Sequence, residues 1–170
     1  MQSFVLDTSA LYEGKTLPEG EDVELFTTLE CAEEMIEKGV PNAEILLETR
    51  IRIHSPSAAS LSAVEKRAES LGESGRLSPE DMGIVALALD KKAVLLTDDY
   101  SVQNICSSLG VEFASTWTDG IKEVWVWKYR CTGCGRYYDR NERVCHVCGS
   151  PIKAVRARGD GRGRPHRRRR

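Results

Sequence analysis

Two Cys-x2-Cys pairs ten residues apart, Cys131, Cys134, Cys145 and Cys148, hold four of the six cysteines of this 170-residue chain. A segment this short cannot bury a core large enough to fold unaided, so its cysteines must supply the cross-link. A disulfide framework belongs to exported chains. The opening MQSFVLD has no basic region and reaches an acid at Asp7, unlike an export signal. The expected setting is therefore the reducing cytoplasm, and the expected ligand is one structural Zn²⁺ held by four thiolates. Four thiolates leave no open coordination position, which excludes a catalytic zinc. CTGC and CHVC are each followed by glycine, Gly135 and Gly149, which permits the tight turn that aims backbone amides at the sulfurs. The ten residues between the pairs suit a short hairpin turning at Asp139-Arg140-Asn141, and the regular spacing leaves no ligand role for His146.

Charge divides the chain near the same place. Residues 128–170 carry 14 Lys and Arg against three acids, or +11; residues 1–127 carry ten against 23, or −13; the total is −2. An acidic body with a basic end suits a polyanionic partner gripped by that end. Around the cysteines, Arg130, Arg136, Arg140 and Arg143 accompany Tyr137 and Tyr138, a combination suited to phosphate contact and base stacking. From Arg156, RARGDGRGRPHRRRR has almost no apolar content and is expected to be disordered when unbound. EVWVWKY (123–129) is expected to pass from linker into the first strand of the zinc module, with Trp117, Trp125 and Trp127 as packing residues. No stretch approaches the ~18 uncharged apolar residues of a membrane span.

The body alternates strands and helices. SFVLD (3–7), IRI (51–53), AVLLT (93–97) and VEFAS (111–115) read as strands. Residues 29–38, 61–71, 78–89 and 102–109 read as helices, with Ser78-Pro79-Glu80-Asp81 an N-cap, a proline at the first position and an acidic first turn. The pattern predicts an α/β domain with a mostly parallel sheet flanked by helices, followed by a small zinc domain. Its expected boundaries are 1–117 for the body, 118–128 for a linker, 129–153 for the zinc ribbon and 154–170 for the tail.

Ligands of parallel sheets sit beyond the carboxyl ends of the strands. Two of these strands end in acids, at Asp7 and at Asp98-Asp99. Asp81, in the first turn of its helix, can face the same rim; so can Glu34, if Ala32 and Ile36 pack inward from its helix. Carboxylates brought together repel, and a divalent cation with oxygen ligands offsets that; Mg²⁺ and Mn²⁺ are the hard ions suited to it. Each acid also has an ordinary structural use: Asp7 and Asp98-Asp99 in turns, Asp81 in a capping box with Ser78, and Glu34 on a solvated acidic helix face.

LDTSA (6–10), TTLECAEEM (27–35), LSPEDMGIVALAL (77–89) and LLTDDYSVQN (95–104) resemble, in order, the successive motifs of PIN-domain ribonucleases. With the four-cysteine ribbon behind them, the order is similar to the Nob family of ribosome-biogenesis endonucleases in its short archaeal form. The resemblance implies endonucleolytic cleavage that produces the mature 3′ end of 16S rRNA, with Mn²⁺ or Mg²⁺. It also implies as partners the precursor RNA, the pre-ribosomal particle and a KH-domain assembly factor. The family's metal-holding and catalytic positions fall on Asp7, Glu34, Asp81 and either Asp98 or Asp99. Glu33 stands beside Glu34 as a second candidate. A PIN-domain nuclease of RNA decay or toxin type and a non-catalytic RNA-binding assembly factor are the competing readings.

Overall fold

A computed structural model describes residues 1–11, 17–115 and 124–158. The chain forms two compact units, Met1–Lys122 and Glu123–Arg170. Trp117, the expected linker up to residue 123 and the tail from residue 159 lie outside the described residues.

The first unit runs β1 (Gln2–Leu6), a short 3-10 turn (Thr8–Leu11), β2 (Val23–Thr27), α1 (Leu29–Glu37), α2 (Ala43–Thr49), β3 (Ile51–Ile53), α3 (Ala58–Leu71), α4 (Pro79–Lys91), β4 (Val94–Leu96), α5 (Tyr100–Leu109) and β5 (Phe113–Ala114). The sheet is parallel throughout, in the order β3-β2-β1-β4-β5. The chain moves outward from β1 to β3, then returns to lay β4 on the other side of β1. The topological switch point thus falls between β1 and β4, where parallel sheets open a crevice. Val5, Leu6, Leu95 and Leu96 fill the sheet core, and Ile84 to Ala88 of α4 are buried in succession. That run of apolar residues makes α4 the central covering helix rather than an amphipathic surface one.

The expected helices and strands form with boundary shifts of a few residues. Two elements carry no clear sequence signal. VELFT, only five residues long and lacking polar alternation, becomes β2, and AEILLET becomes α2, starting after a left-handed Asn42 (φ 60°). On α1 the inward face is Cys31, Ala32 and Met35, whereas Ile36 is 48% exposed. The expectation that Ile36 packs inward with Ala32 is corrected: the buried stripe runs through Cys31, Ala32 and Met35, and a nine-residue helix is too short for pattern alone to fix its inward face.

The second unit is a three-stranded antiparallel sheet, β7-β6-β8, of β6 (Trp125–Cys131), β7 (Tyr137–Tyr138) and β8 (Ile152–Arg158). β6 and β8 pair along their whole length, from Trp125↔Arg158 to Cys131↔Ile152. Residues 125–128 and 154–158 therefore belong to this sheet, where the sequence suggested linker and tail. Ladder hydrogen bonds give Arg156–Arg158 the order that their polar composition did not suggest. The expected hairpin inside the ten-residue interval also gives way. Tyr137-Tyr138 pairs back onto β6, and Val144 forms a single bridge to Pro151.

Candidate active site and cysteine cluster

Because β1 and β4 are neighbours in register, with Leu6 opposite Leu96, the residues that follow them come together. The amide of Asp7 donates to the carbonyl of Leu96 at 3.1 Å. Asp7 is buried, and its Oδ2 accepts from the hydroxyls of Ser9 (2.6 Å) and Thr97 (2.7 Å). Ser9 also accepts from the amide of Asp98 at 3.0 Å, tying the two strand ends into one network. Glu34 reaches the same place from α1, accepting from the Thr8 hydroxyl at 2.5 Å and pairing with Lys38 one turn on. Asp81 enters from the N-terminus of α4. Its Oδ2 accepts from both the amide and the hydroxyl of Ser78, each at 2.9 Å, closing the capping box.

These side chains line an open cleft of about 690 Å³, whose walls are Asp7, Thr8, Ser9, Glu30, Glu33, Glu34, Glu37, Lys38, Ser78, Glu80, Asp81 and Asp99. Eight of the twelve are carboxylates and one is an ammonium. Asp99 lines the cleft while capping α5, its Oδ1 accepting from the amides of Ser101 (2.6 Å) and Val102 (3.1 Å). Asp98 does not line it; its Oδ1 accepts from Ser115 beyond β5. Of the adjacent glutamates, both line the cleft, and Glu34 is the one bonded to Thr8 and Lys38. The hydroxyls of Thr8, Ser9 and Thr97, the rim acids Glu30, Glu37 and Glu80, and Lys38 are additions to the candidate set read from the sequence. Only Ser9 has a local signal, two residues after the acid it holds in LDTS; Thr8 and Thr97 hold acids far along the chain, Glu34 and Asp7.

The electrostatics follow from this crowding. Burial, together with the charge of Asp99, pushes the carboxyl of Asp7 above its ordinary value, against the hydrogen bonds of Ser9 and Thr97. Burial and the charges of Asp7 and Asp99 likewise raise Asp81 above its ordinary value, against its bonds to Ser78. For Glu34 burial acts upward, but the Lys38 ammonium and the Thr8 hydroxyl outweigh it and hold the group below its ordinary value. An oxygen-only donor set of this kind suits a hard divalent cation.

In the second unit the four sulfurs of Cys131, Cys134, Cys145 and Cys148 lie within 4.8 Å of one another, with Cys131–Cys148 at 3.3 Å and Cys134–Cys145 at 3.6 Å. Disulfides would need about 2.05 Å. Tetrahedral zinc, with arms of about 2.3 Å, spaces its sulfurs about 3.8 Å apart. The cluster can hold a metal ion. The amides of Gly133 and Cys134 point at the Cys131 sulfur (3.3 and 3.4 Å), and Gly135 and Gly149 both take positive φ, 73° and 71°. The Tyr138 hydroxyl lies 2.9 Å from the Cys145 sulfur and lowers that thiol to about 7; Ser150 lowers Cys148 to about 6. Cys131 and Cys145 are the buried residues of this unit among those described, so it has no apolar core apart from the cluster. His146 is exposed and pairs with Glu142 instead of joining the sulfurs.

Of the residues proposed to meet nucleic acid, Arg130, Arg136, Arg140 and Arg143 are exposed, as is Tyr137, over which Arg130 lies at 5.8 Å. Tyr138 faces the cysteines. Trp125 and Trp127 are half-buried, and the Arg156 guanidinium stacks 4.2 Å above Trp125.

Residues 4–90 match the model of a family described as PIN domain of ribonuclease. The chain is 35% identical to "Endoribonuclease Nob1" of Methanocaldococcus jannaschii, over 90% of this chain and 77% of that one. It is 36% identical to "Endoribonuclease Nob1" of Pyrococcus abyssi, over 89% and 92%. It is also 36% identical to "Ribonuclease VapC1" of Thermoplasma acidophilum, over 88% and 76%.

Proposed function

Because the chain belongs to the PIN-domain ribonucleases and carries a four-cysteine metal-binding cluster behind the nuclease fold, we propose that it cleaves precursor small-subunit rRNA, generating the mature 3′ end of 16S rRNA. The observation that carries this reading is the extent of similarity to the Pyrococcus Nob1. An alignment over 89% of this chain and 92% of that protein takes in the cysteine module as well as the PIN part. The acidic cleft suits phosphodiester hydrolysis assisted by Mn²⁺ or Mg²⁺, held by Asp7, Glu34, Asp81 and Asp99. The bound cation would neutralise the carboxylates and polarise the phosphodiester. Ser9 and Thr97 fix the Asp7 carboxylate, Ser78 fixes Asp81, and the cap bonds of α5 fix Asp99, so each acid reaches the cleft already oriented. Asp98, turned to Ser115, acts as a support for the strand end.

In the second unit one structural Zn²⁺ holds the ribbon together, and Arg130, Arg136, Arg140, Arg143 and Tyr137 grip the RNA. The tail adds sequence-independent phosphate binding. The pre-ribosomal particle and a KH-domain assembly factor are the proposed company. Similarity to VapC1 keeps a toxin-type or RNA-decay nuclease as the second reading.

The test is cleavage of a transcript spanning the 3′ end of 16S rRNA, set against unrelated RNAs of equal length, with Mn²⁺ or Mg²⁺ and an Asp7→Asn control. A single metal-dependent cut at the mature end is expected. Equal degradation of all RNAs would favour the toxin or decay reading, and no cleavage by wild type would favour the assembly factor.

A further inference from the structure

We propose that Lys38 is a substrate-contacting catalytic residue, whose ammonium holds a non-bridging oxygen of the scissile phosphodiester. The inference rests on the metal-dependent nuclease reading above and extends it to a residue outside the acid set. Among the described residues, Lys38 is the one basic side chain lining a cleft of eight carboxylates. A phosphodiester adds a further negative charge to that cleft, and one or two divalent cations do not cancel the total. An ammonium at the rim lowers the remaining repulsion where the phosphate enters, and a preorganised cation stabilises charge that builds on its oxygens.

The backbone beneath this ammonium is fixed. Lys38 is the C-cap of α1; its amide donates to Glu34 O (2.9 Å), that of Gly39 to Ile36 O (3.0 Å) and that of Val40 to Met35 O (2.9 Å). Met35 and Val40 are buried, which anchors the turn on both sides, and Gly39 takes the left-handed conformation (φ 65°) needed to close it. The Lys38 side chain is half exposed, at 50%, and one of its partners is Glu34, four residues before it. An exposed pair of this kind is weakly held. Once Glu34 engages a divalent cation, exchange of that one pairing for a phosphate oxygen therefore costs little. During hydrolysis the oxygen of water forms a bond to phosphorus and the bond from phosphorus to the 3′ oxygen breaks. The proton of the water passes to a cleft carboxylate, and the leaving 3′ oxygen takes a proton from solvent. Lys38 gives up no proton and holds the non-bridging oxygen throughout.

Two other roles are open to a lysine in this place, and the experiment separates them. It can complement the carboxyl end of the α1 dipole, or act as a counter-charge that the metal displaces. Full-length wild type, Lys38→Met and Lys38→Arg are compared in three measurements. These are single-turnover cleavage at saturating Mn²⁺ and RNA, Mn²⁺ affinity from the electron paramagnetic resonance signal of the free ion, and the thermal midpoint. A phosphate contact predicts about a 100-fold loss for Lys38→Met, partial recovery in Lys38→Arg, and Mn²⁺ affinity equal to or tighter than wild type. Wild-type saturated cleavage by Lys38→Met overturns the proposal. Tighter Mn²⁺ binding would then identify a counter-charge, and a lowered midpoint alone would identify a helix cap. If wild type itself neither binds Mn²⁺ nor cleaves, the underlying nuclease reading falls, and the role of Lys38 falls with it.

Discussion

Asp7 combines three properties seldom found in one carboxylate: it is buried, doubly bonded to hydroxyls, and surrounded by like charge. Its raised pKa means that the metal-free fold resists its ionisation more than the unfolded chain does. The folded state then binds more protons than the unfolded state between the ordinary carboxyl value of 3.8 and the raised one. The contribution of Asp7 to stability is complete below 3.8 and is lost as pH rises through the raised value. Asp7→Asn should therefore melt higher than wild type at neutral pH without metal, and the gap should close as pH falls toward 4. The same variant should lose at least about 100-fold in cleavage, since the charge that holds the cation is gone. Thermal melts from pH 4 to 8 and single-turnover rates check both parts. A variant that melts lower at pH 7 would show that Asp7 is held for stability instead of for a cation.

At the scale of elements, helix starts double as site builders. α4 begins with Ser78, Pro79 and the capping-box acid Asp81; α5 begins with Asp99; α1 begins at Thr28, whose hydroxyl accepts from the amide of Cys31. Each N-terminus offers unpaired amides that a carboxylate or hydroxyl satisfies, so cleft and helix geometry are set together. The two uses separate under mutation. Ser78→Ala should cost about 1 kcal/mol of stability with only a several-fold effect on cleavage. Asp81→Asn should do the reverse, because burial and the neighbouring carboxylates work against the charge that a cation needs. Denaturant melts and single-turnover rates on both variants test this crossed ranking. In the other unit, a sheet whose buried residues are cysteines should lose its order when its metal is chelated. Chelation should abolish the ordered amide signals of residues 125–158 and leave those of the α/β unit in place; simultaneous loss of both would contradict independent folding.

For the whole molecule, the charge division of −13 and +11 predicts a division of labour. Removing residues 124–170 should weaken RNA binding and flatten its salt dependence, because log K falls with log[salt] at about −0.7 per neutralised phosphate for single strands. The candidate metal-holding acids end at Asp99, so slow metal-dependent cleavage at saturating RNA should survive. Affinities across a salt series, with single-turnover cleavage of both proteins, measure this. An unchanged slope would assign RNA binding to the α/β unit. Complete loss of saturated cleavage would make the ribbon part of the active site.

The α/β class, the helix starts and the four-sulfur cluster are legible in the residues alone, because each is written in local chemistry: apolar runs, capping residues, and paired cysteines with glycines behind them. The sequence also marked the acids that approach the cleft. Which of two neighbours enters it is a matter of long-range packing. Asp98 and Asp99 are adjacent in one turn, and the choice depends on Ser115 drawing Asp98 toward β5 and on α5 taking Asp99 as its cap. The parallel pairing of β1 with β4 brings Thr97 onto Asp7 across 90 residues of chain, a contact no local pattern encodes. β8 is the same lesson at larger scale: a segment rich in arginine becomes a strand because β6 offers it a full ladder of hydrogen-bond partners, and those partners lie more than twenty residues away.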